Sequence, residues 1–217
     1  MGVNMAGNCI VDDEACREAS RSEIIRRYFK ALCDHKTGKN VDSEIFKLEL
    51  LLNQAGLAVG DRAVEKQAHA AAERTGGAPA AAIELPDGTV VTGKNGPLLG
   101  AASSALLNAL KKLAGIDHEI DLVSARAIEP IQTLKTNYLG SRNPRLHTDE
   151  ILIALSSSAA ENETAAVALQ QLSKLKGCDM HSTVILSSVD TDTIKRLGMY
   201  LTCEPAYEQE DRKYHKK

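Results

Sequence analysis

One short stretch of the chain concentrates hydrogen-bond donors immediately before an apolar run. These donors are Ser141, Arg142, Asn143, Arg145 and His147. A guanidinium group can fork onto a phosphate or a carboxylate, and the N-terminus of the helix that follows favours an anion. The imidazole of His147 titrates near neutral pH and could act as an acid or a base. The stretch therefore predicts a site for an anionic or phosphorylated small molecule, with His147 as the candidate catalytic residue.

The same stretch is also compatible with a plain helix start. Thr148 could cap the helix, and the charges of Asp149 and Glu150 suit its positive end. The two arginines would then pair with nearby acids. Both interpretations stay open at this point.

A second candidate segment, Thr92–Pro97, precedes another predicted helix. It places Lys94 and Asn95 between two glycines, a composition that can cradle a phosphate. It lacks the G-x-x-x-x-G-K-[ST] pattern of a P-loop, so a simple turn from strand to helix is the alternative. We predict that Lys94 and Asn95 contribute to the anion site.

The cysteines and the remaining histidines form no recognisable metal or triad motif. The five cysteines are scattered without a C-x-x-C pair, which indicates reduced thiols in a cytoplasmic protein. His69 lies in a charge-rich helical context and is predicted to be solvated. His181, just before a strand, could face a site, although a structural role is the alternative. The sequence therefore predicts no metal and no cofactor, and it identifies no reaction.

The composition argues against several classes of partner. Only 3% of the 217 residues are aromatic and the formal net charge is −3, so the chain lacks both stacking platforms and an overall attraction for nucleic acid. No apolar run approaches the roughly 20 residues of a transmembrane helix, and no signal peptide is evident. We expect a soluble, cytoplasmic protein with no nucleic-acid or membrane partner. The basic tail from Tyr207 is the one feature that could support nucleic-acid binding instead.

The hydrophobic pattern predicts a mixed α/β fold in two parts. Helical periodicity predicts a helical subdomain over residues 1–77, which ends at the Gly/Pro-rich break Thr75–Pro79. Strands interleaved with helices predict a three-layer α/β domain over residues 78–206, followed by a polar tail over residues 207–217. The first two predicted strands are Ala82–Leu85 and Thr89–Thr92, which the Pro-Asp-Gly turn at residues 86–88 joins into a hairpin. The other predicted strands are Ile120–Val123, Ser182–Ser187 and Met199–Thr202.

The order of hairpin, helix and strand resembles the deaminase-like scaffold. In that family a T-G-x-N hairpin end leads to a helix that carries a zinc ligand beside a catalytic Glu. The matching helix here opens with Leu99–Ala105, which contains no His, Cys or Glu, and no P-C-x-x-C motif follows. Because zinc-water deamination needs those groups, we expect the scaffold without its zinc ligands.

Five segments in this order resemble a known bacterial family. They are Met1–Met5, Ser22–Tyr28, Val91–Asn95, Leu139–His147 and His181–Leu186. The likeness is to the C-terminal half of the domain of unknown function 1846 family. Relatives are about twice as long, and their upstream half carries a glycine-rich phosphate-type loop, which implies nucleotide use. The resemblance implies a split or excised part of a larger protein, with no established reaction.

Two functions follow as expectations. In the first, the chain binds an anionic small molecule at the Ser141–His147 turn. In the second, it is an assembly module without a ligand, which packs against the nucleotide-binding half encoded elsewhere or against a second copy of itself.

Overall fold

The structure, a computed structural model, describes residues 12–208. Its contacts separate two compact units, one ending at Asp61 and the other beginning at Arg62. The Met1–Met5 motif and most of the predicted polar tail lie outside the described residues. The predicted division into parts 1–77, 78–206 and 207–217 stays a prediction.

The described part of the first unit contains two α-helices, α1 (Asp13–Lys36) and α2 (Asp42–Ala55), and a short 3-10 helix at Val59–Asp61. The Asp12 carboxylate caps α1 by accepting a hydrogen bond from the Ala15 amide at 2.9 Å, which satisfies one of the donors that a helix start leaves unpaired. The helices pack through a small core that contains Ile25, Phe29 and Leu52.

The second unit is built on a four-stranded mixed sheet. The strands are β1 (Ala80–Glu84), β2 (Val90–Lys94), β3 (Asp179–Ser182) and β4 (Tyr200–Cys203), in the order β2-β1-β3-β4. Strand β1 is antiparallel to both neighbours, whereas β3 and β4 are parallel. The β1–β2 pair is the hairpin predicted from the Pro-Asp-Gly turn.

Six α-helices of the described residues accompany this sheet. They are α3 (Ala63–Arg74), α4 (Ala101–Ala114), α5 (Ala125–Thr133), α6 (Thr148–Ser158), α7 (Glu163–Leu169) and α8 (Ser188–Arg196). The predicted mixed α/β class is therefore confirmed. No helix within residues 12–208 has the length and apolar character needed to cross a membrane.

The two faces of the sheet are covered differently. On one face, Val64 and Ala68 of α3 pack against Ala82. On the other face, Ile83 and Met180 join the main core. This division follows from the alternation of side chains along a strand.

Helix α4 approaches β2 at a glycine. A Cβ on Gly93 would lie 2.1 Å from the Ala105 amide nitrogen, so a side chain at this position would force the helix and the strand apart. The glycine in Thr92–Pro97 thus has a packing reason that is independent of any ligand.

One predicted strand is wrong and another is displaced. Residues 120–123 form no strand, and Leu122 and Val123 instead fill the core as part of an irregular segment. Two adjacent apolar side chains can be buried there without a sheet ladder. The strand predicted at Ser182–Ser187 is β3 at Asp179–Ser182, because pairing with β1 ends at Ser182.

Candidate functional site

The two predicted anion-binding segments lie side by side in the second unit. The Leu146 amide donates to the Leu98 carbonyl at 2.9 Å, and the Arg145 Nε donates to the Gly96 carbonyl at 3.1 Å. Leu98 directly follows Thr92–Pro97, and Leu146 belongs to the Ser141–His147 turn. The fold therefore joins two loops that the sequence offered as separate candidates.

Arg145 and Asn95 hold a carboxylate at this junction. Arg145 Nη1 donates to Glu208 Oε1 at 2.8 Å and to Oε2 at 3.0 Å, and Asn95 Nδ2 donates to the same Oε1 at 2.8 Å. The Arg145 and Glu208 side chains are 17% and 11% exposed. We call Asn95 and Arg145 the carboxylate seat, with Glu208 as its internal occupant.

A backbone contact fixes the Asn95 amide in this orientation. Its Oδ1 accepts a hydrogen bond from the Ala101 amide at 2.6 Å, at the start of α4. The Nδ2 donors must therefore point away from α4 toward Glu208. The start of α4 therefore helps to position the carboxylate seat.

The other predicted anion ligands have different surroundings. Lys94 and Arg142 are exposed. The Ser141 hydroxyl donates to the Asn143 carbonyl at 3.1 Å, and Asn143 Oδ1 accepts from the Arg145 amide at 3.1 Å. Ser141 and Asn143 thus shape the turn that presents Arg145.

The N-terminus of α6 is already neutralised by carboxylates of the chain. Asp190 Oδ1 accepts from the Thr148 amide at 2.8 Å, and Glu150 Oε2 accepts from the His147 amide at 2.7 Å. Lys135 Nζ pairs with Glu150 at 2.7 Å. These contacts agree with the alternative interpretation of this stretch as a helix start with acidic residues in its first turn. The residue at the capping position, however, is His147 and not Thr148. External anions would have to displace these internal contacts to reach this helix end.

His147 is oriented by a buried carboxylate. Its Nδ1 lies 2.9 Å from Asp190 Oδ2, and the Ser187 hydroxyl donates to the same oxygen at 2.8 Å. Ser187 Oγ lies on the Nδ1 side of the ring, at 3.4 Å, so the three residues do not have the relay order of a serine-hydrolase triad. What the geometry offers is a His–Asp pair that could hold or release a proton.

The contact between His147 and Asp190 shifts the pKa values of both residues. The hydrogen bond with Asp190 raises the pKa of His147 above its ordinary value, although burial acts in the opposite direction. Burial works to raise the pKa of Asp190, but the hydrogen bond and charge of His147 outweigh it and hold that pKa below its ordinary value. The charged pair is therefore favoured across the mildly acidic range.

A second cluster of ligand-type side chains lies on the α3 face of the sheet. His69 Nε2 and His181 Nε2 approach the same oxygen, Glu204 Oε1, at 3.2 and 3.3 Å. Hydrogen bonds, from His181 first and then from His69, hold the pKa of Glu204 below its ordinary value against the effect of burial. Sequence reasoning missed this cluster: His69 was expected to be solvated, and Glu204 belongs to no motif. Alternation places Thr202 and Glu204 on one side of β4 and its extension, which is the only sequence signal for it.

A cavity of about 540 Å³ opens along the free edge of β2. Its polar lining includes Arg74, Lys94, Asn108, Lys111 and Asp121. Gly96 lines the cavity too, and its carbonyl accepts from Arg145. The cavity therefore begins next to the carboxylate seat, and it has a volume in the range of small-molecule sites.

Comparison with known proteins identifies relatives for the whole chain. The family model of the domain of unknown function DUF1846, N-terminal, matches residues 1–56, and that of DUF1846, C-terminal, matches residues 60–213. The predicted family is confirmed. The narrower prediction of a C-terminal half alone is wrong, because residues 1–56 match the model of the N-terminal domain.

The curated relatives are uncharacterised proteins. The chain is 54% identical over 209 residues to a UPF0371 protein of Corynebacterium glutamicum (strain R), covering 96% of the chain and 42% of the relative. It is 50% identical over 216 residues to UPF0371 protein str1377 of Streptococcus thermophilus (strain CNRZ 1066), covering 100% of the chain and 43% of the relative. The chain thus spans about two fifths of the length of the relatives that it matches.

Proposed function

The chain belongs to the DUF1846 family, and we propose that it is a cytoplasmic protein that binds an anionic or phosphorylated small molecule at the carboxylate seat. One observation carries this function: Arg145 and Asn95 already bind a carboxylate, that of Glu208, with three hydrogen bonds of 2.8–3.0 Å. A guanidinium beside an amide donor is a typical receptor for a carboxylate or phosphate, and here one guanidinium nitrogen, Nη1, contacts both carboxylate oxygens.

In this function an external anion replaces the Glu208 carboxylate in the carboxylate seat. Glu208 stands in for the anionic group of the ligand, and the external molecule displaces it. The cavity that begins at Gly96 provides room for the rest of the ligand, and Lys94 adds a positive charge to its wall. His147, held by Asp190, is the group that could move a proton if a reaction occurs.

The test is calorimetric titration of the chain with inorganic phosphate and with citrate. We expect saturable binding of at least one of them, and we expect Arg145→Ala to abolish it. Arg126→Ala is the matched control, because Arg126 is an exposed arginine on α5. Equal affinity in Arg145→Ala and in the parent chain would refute the seat as the binding site.

A second candidate function, assembly, is favoured by a different observation. Phe46 and Leu50 of α2 are 61% and 45% exposed, and their spacing of four residues puts them on one helix face. Residues 1–56 match the N-terminal domain of a family whose members are longer. We therefore propose the remainder of such a longer protein as the partner of this face. Light scattering after size-exclusion chromatography of the chain mixed with that remainder of the Corynebacterium glutamicum relative tests it; two unchanged peaks would refute it.

We also propose that the second unit has the deaminase-like scaffold. The hairpin β1–β2 is followed by α4, and the last three elements alternate as β3, α8 and β4, which supports this assignment. The first turn of α4 contains no His, Cys or Glu, so the scaffold would carry no zinc at the position that deaminases use. An experimentally determined structure whose sheet fails to superpose on a deaminase would contradict it.

A further inference from the structure

Two histidines and one carboxylate converge on a single point of the α3 face. The candidate ligand atoms of His69, His181 and Glu204 all lie within 4.8 Å of one another. Three separate elements supply them: α3, β3 and the residue that follows β4. This convergence is independent of the carboxylate seat, with which it shares no residue.

The spacing within the cluster is compatible with three ligands around one metal ion. Donor atoms about 2.0–2.2 Å from a tetrahedral zinc ion lie roughly 3.3–3.6 Å apart. The two nitrogen–oxygen separations, 3.2 and 3.3 Å, are close to that range. Two imidazoles and a glutamate are also a ligand set of catalytic zinc sites, which leave the fourth position to water or substrate.

The surroundings of His181 suit a metal ligand. His181 is fully buried, and its Nδ1 lies 2.9 Å from Thr202 Oγ1. The Thr202 hydroxyl donates a hydrogen bond to the Met180 carbonyl at 3.2 Å. Its oxygen can therefore accept a hydrogen bond from the Nδ1–H group of His181. With Nδ1 engaged by Thr202, Nε2 of His181 faces the cluster and can ligate a metal ion, as in metal sites where the other ring nitrogen of a histidine contacts an outer partner.

The local charge balance also allows a cation. Glu204 supplies a negative charge among the three ligands. The nearby guanidinium of Arg62, which contacts Thr202, is paired with Asp179 at 2.6 Å. The His69 side chain is 48% exposed, which provides a route by which an ion can enter.

We propose that His69, His181 and Glu204 bind one divalent transition-metal ion of the zinc class. Strand register puts His181 opposite Ala82 and Thr202, on the face covered by α3. The site is therefore on the opposite side of the sheet from the face on which α4 packs.

The test is titration of the full chain, freed of metal with a chelator, with Co²⁺ as a visible probe and then with Zn²⁺. We expect d–d absorption that saturates at one Co²⁺ per chain and is lost when Zn²⁺ displaces it. His69→Gln and Glu204→Gln should each weaken binding by about 100-fold or more, beyond the 10–100-fold typical of outer partners. These two positions are chosen because both side chains are partly exposed, whereas a substitution of buried His181 could prevent folding.

The control is His118→Gln, which removes a histidine that is exposed and outside the cluster. It should bind Co²⁺ like the parent chain. Equal unfolding midpoints of all variants in chelator would show that they fold. Absence of saturable absorption, parent-like binding in His69→Gln, or an equal loss in His118→Gln would overturn the site and leave a hydrogen-bonded His–Glu–His cluster only.

Discussion

Replacing Glu208 by glutamine should open the carboxylate seat. In the parent chain an external anion must compete with the Glu208 carboxylate, which receives hydrogen bonds from Arg145 and Asn95. Glutamine keeps an oxygen for one of these donors but loses the charge. We therefore expect Glu208→Gln to bind phosphate or citrate more tightly than the parent chain.

The size of the effect follows from the strength of the internal contact. A hydrogen bond to a charged group contributes about 1.5–3 kcal/mol net, and both side chains are mostly shielded from solvent. Loss of that contribution changes the occupancy of the seat by about 10- to 150-fold, because 1.4 kcal/mol corresponds to a factor of ten. The apparent Kd for the anion should fall by up to this factor, since a competitor lowers the fraction of open sites.

Calorimetric titration at constant salt measures this change. Glu129→Gln, which removes a carboxylate from an exposed position on α5, should leave the Kd unchanged. The gain must also vanish in the double variant Arg145→Ala/Glu208→Gln, because the seat is then gone. Unchanged or weaker affinity in Glu208→Gln would refute competition between Glu208 and an external anion.

Two further predictions concern stability. Gly93→Ala should destabilise the second unit by about 1–3 kcal/mol or more, as overpacking does, because its Cβ would lie 2.1 Å from the Ala105 nitrogen. Urea unfolding measures this, and Gly96→Ala is the control because no atom lies within 4 Å of its added Cβ; equal midpoints would contradict the close approach. The His147–Asp190 pair raises the folded-state pKa of His147, so its stabilising contribution is complete below the ordinary value of 6.5 and is lost as pH rises through the raised pKa. The stability difference between the parent chain and His147→Gln should therefore shrink as the pH rises from below 6.5 through the raised pKa of His147, and a constant difference would show that the pair does not titrate as described.

Local sequence patterns predicted much of the fold because they depend on neighbouring residues. The Pro-Asp-Gly turn located the hairpin, and helical periodicity located α4 and α6 within a few residues. The strand predicted at Ile120–Val123 was wrong because its composition suits a strand, but none of the four described strands pairs with it. Whether an apolar segment becomes a strand depends on pairing, which a local pattern does not contain.

Part of the candidate site could be predicted from the sequence for the same local reason. Asn95 and Arg145 stand in loops rich in glycine and polar residues, where binding groups concentrate. Glu208 could not be predicted, because it lies 63 positions from Arg145 and 113 from Asn95. The sequence likewise offered the N-terminus of α6 for an anion without showing that Asp190, from α8, already occupies it.

The sequence by itself determined the α/β class, the hairpin, the turn that presents Arg145 and the membership of a family. These features depend on residue types at short spacing along the chain. Only the tertiary structure decided what the polar groups contact: Glu208 in the carboxylate seat, Asp190 on His147, and His69 with His181 and Glu204, the outer two of which are 135 positions apart. The physical reason is that hydrogen bonds and metal ligation act over a few ångströms in space. The separation of two residues along the chain does not indicate whether the fold brings them that close.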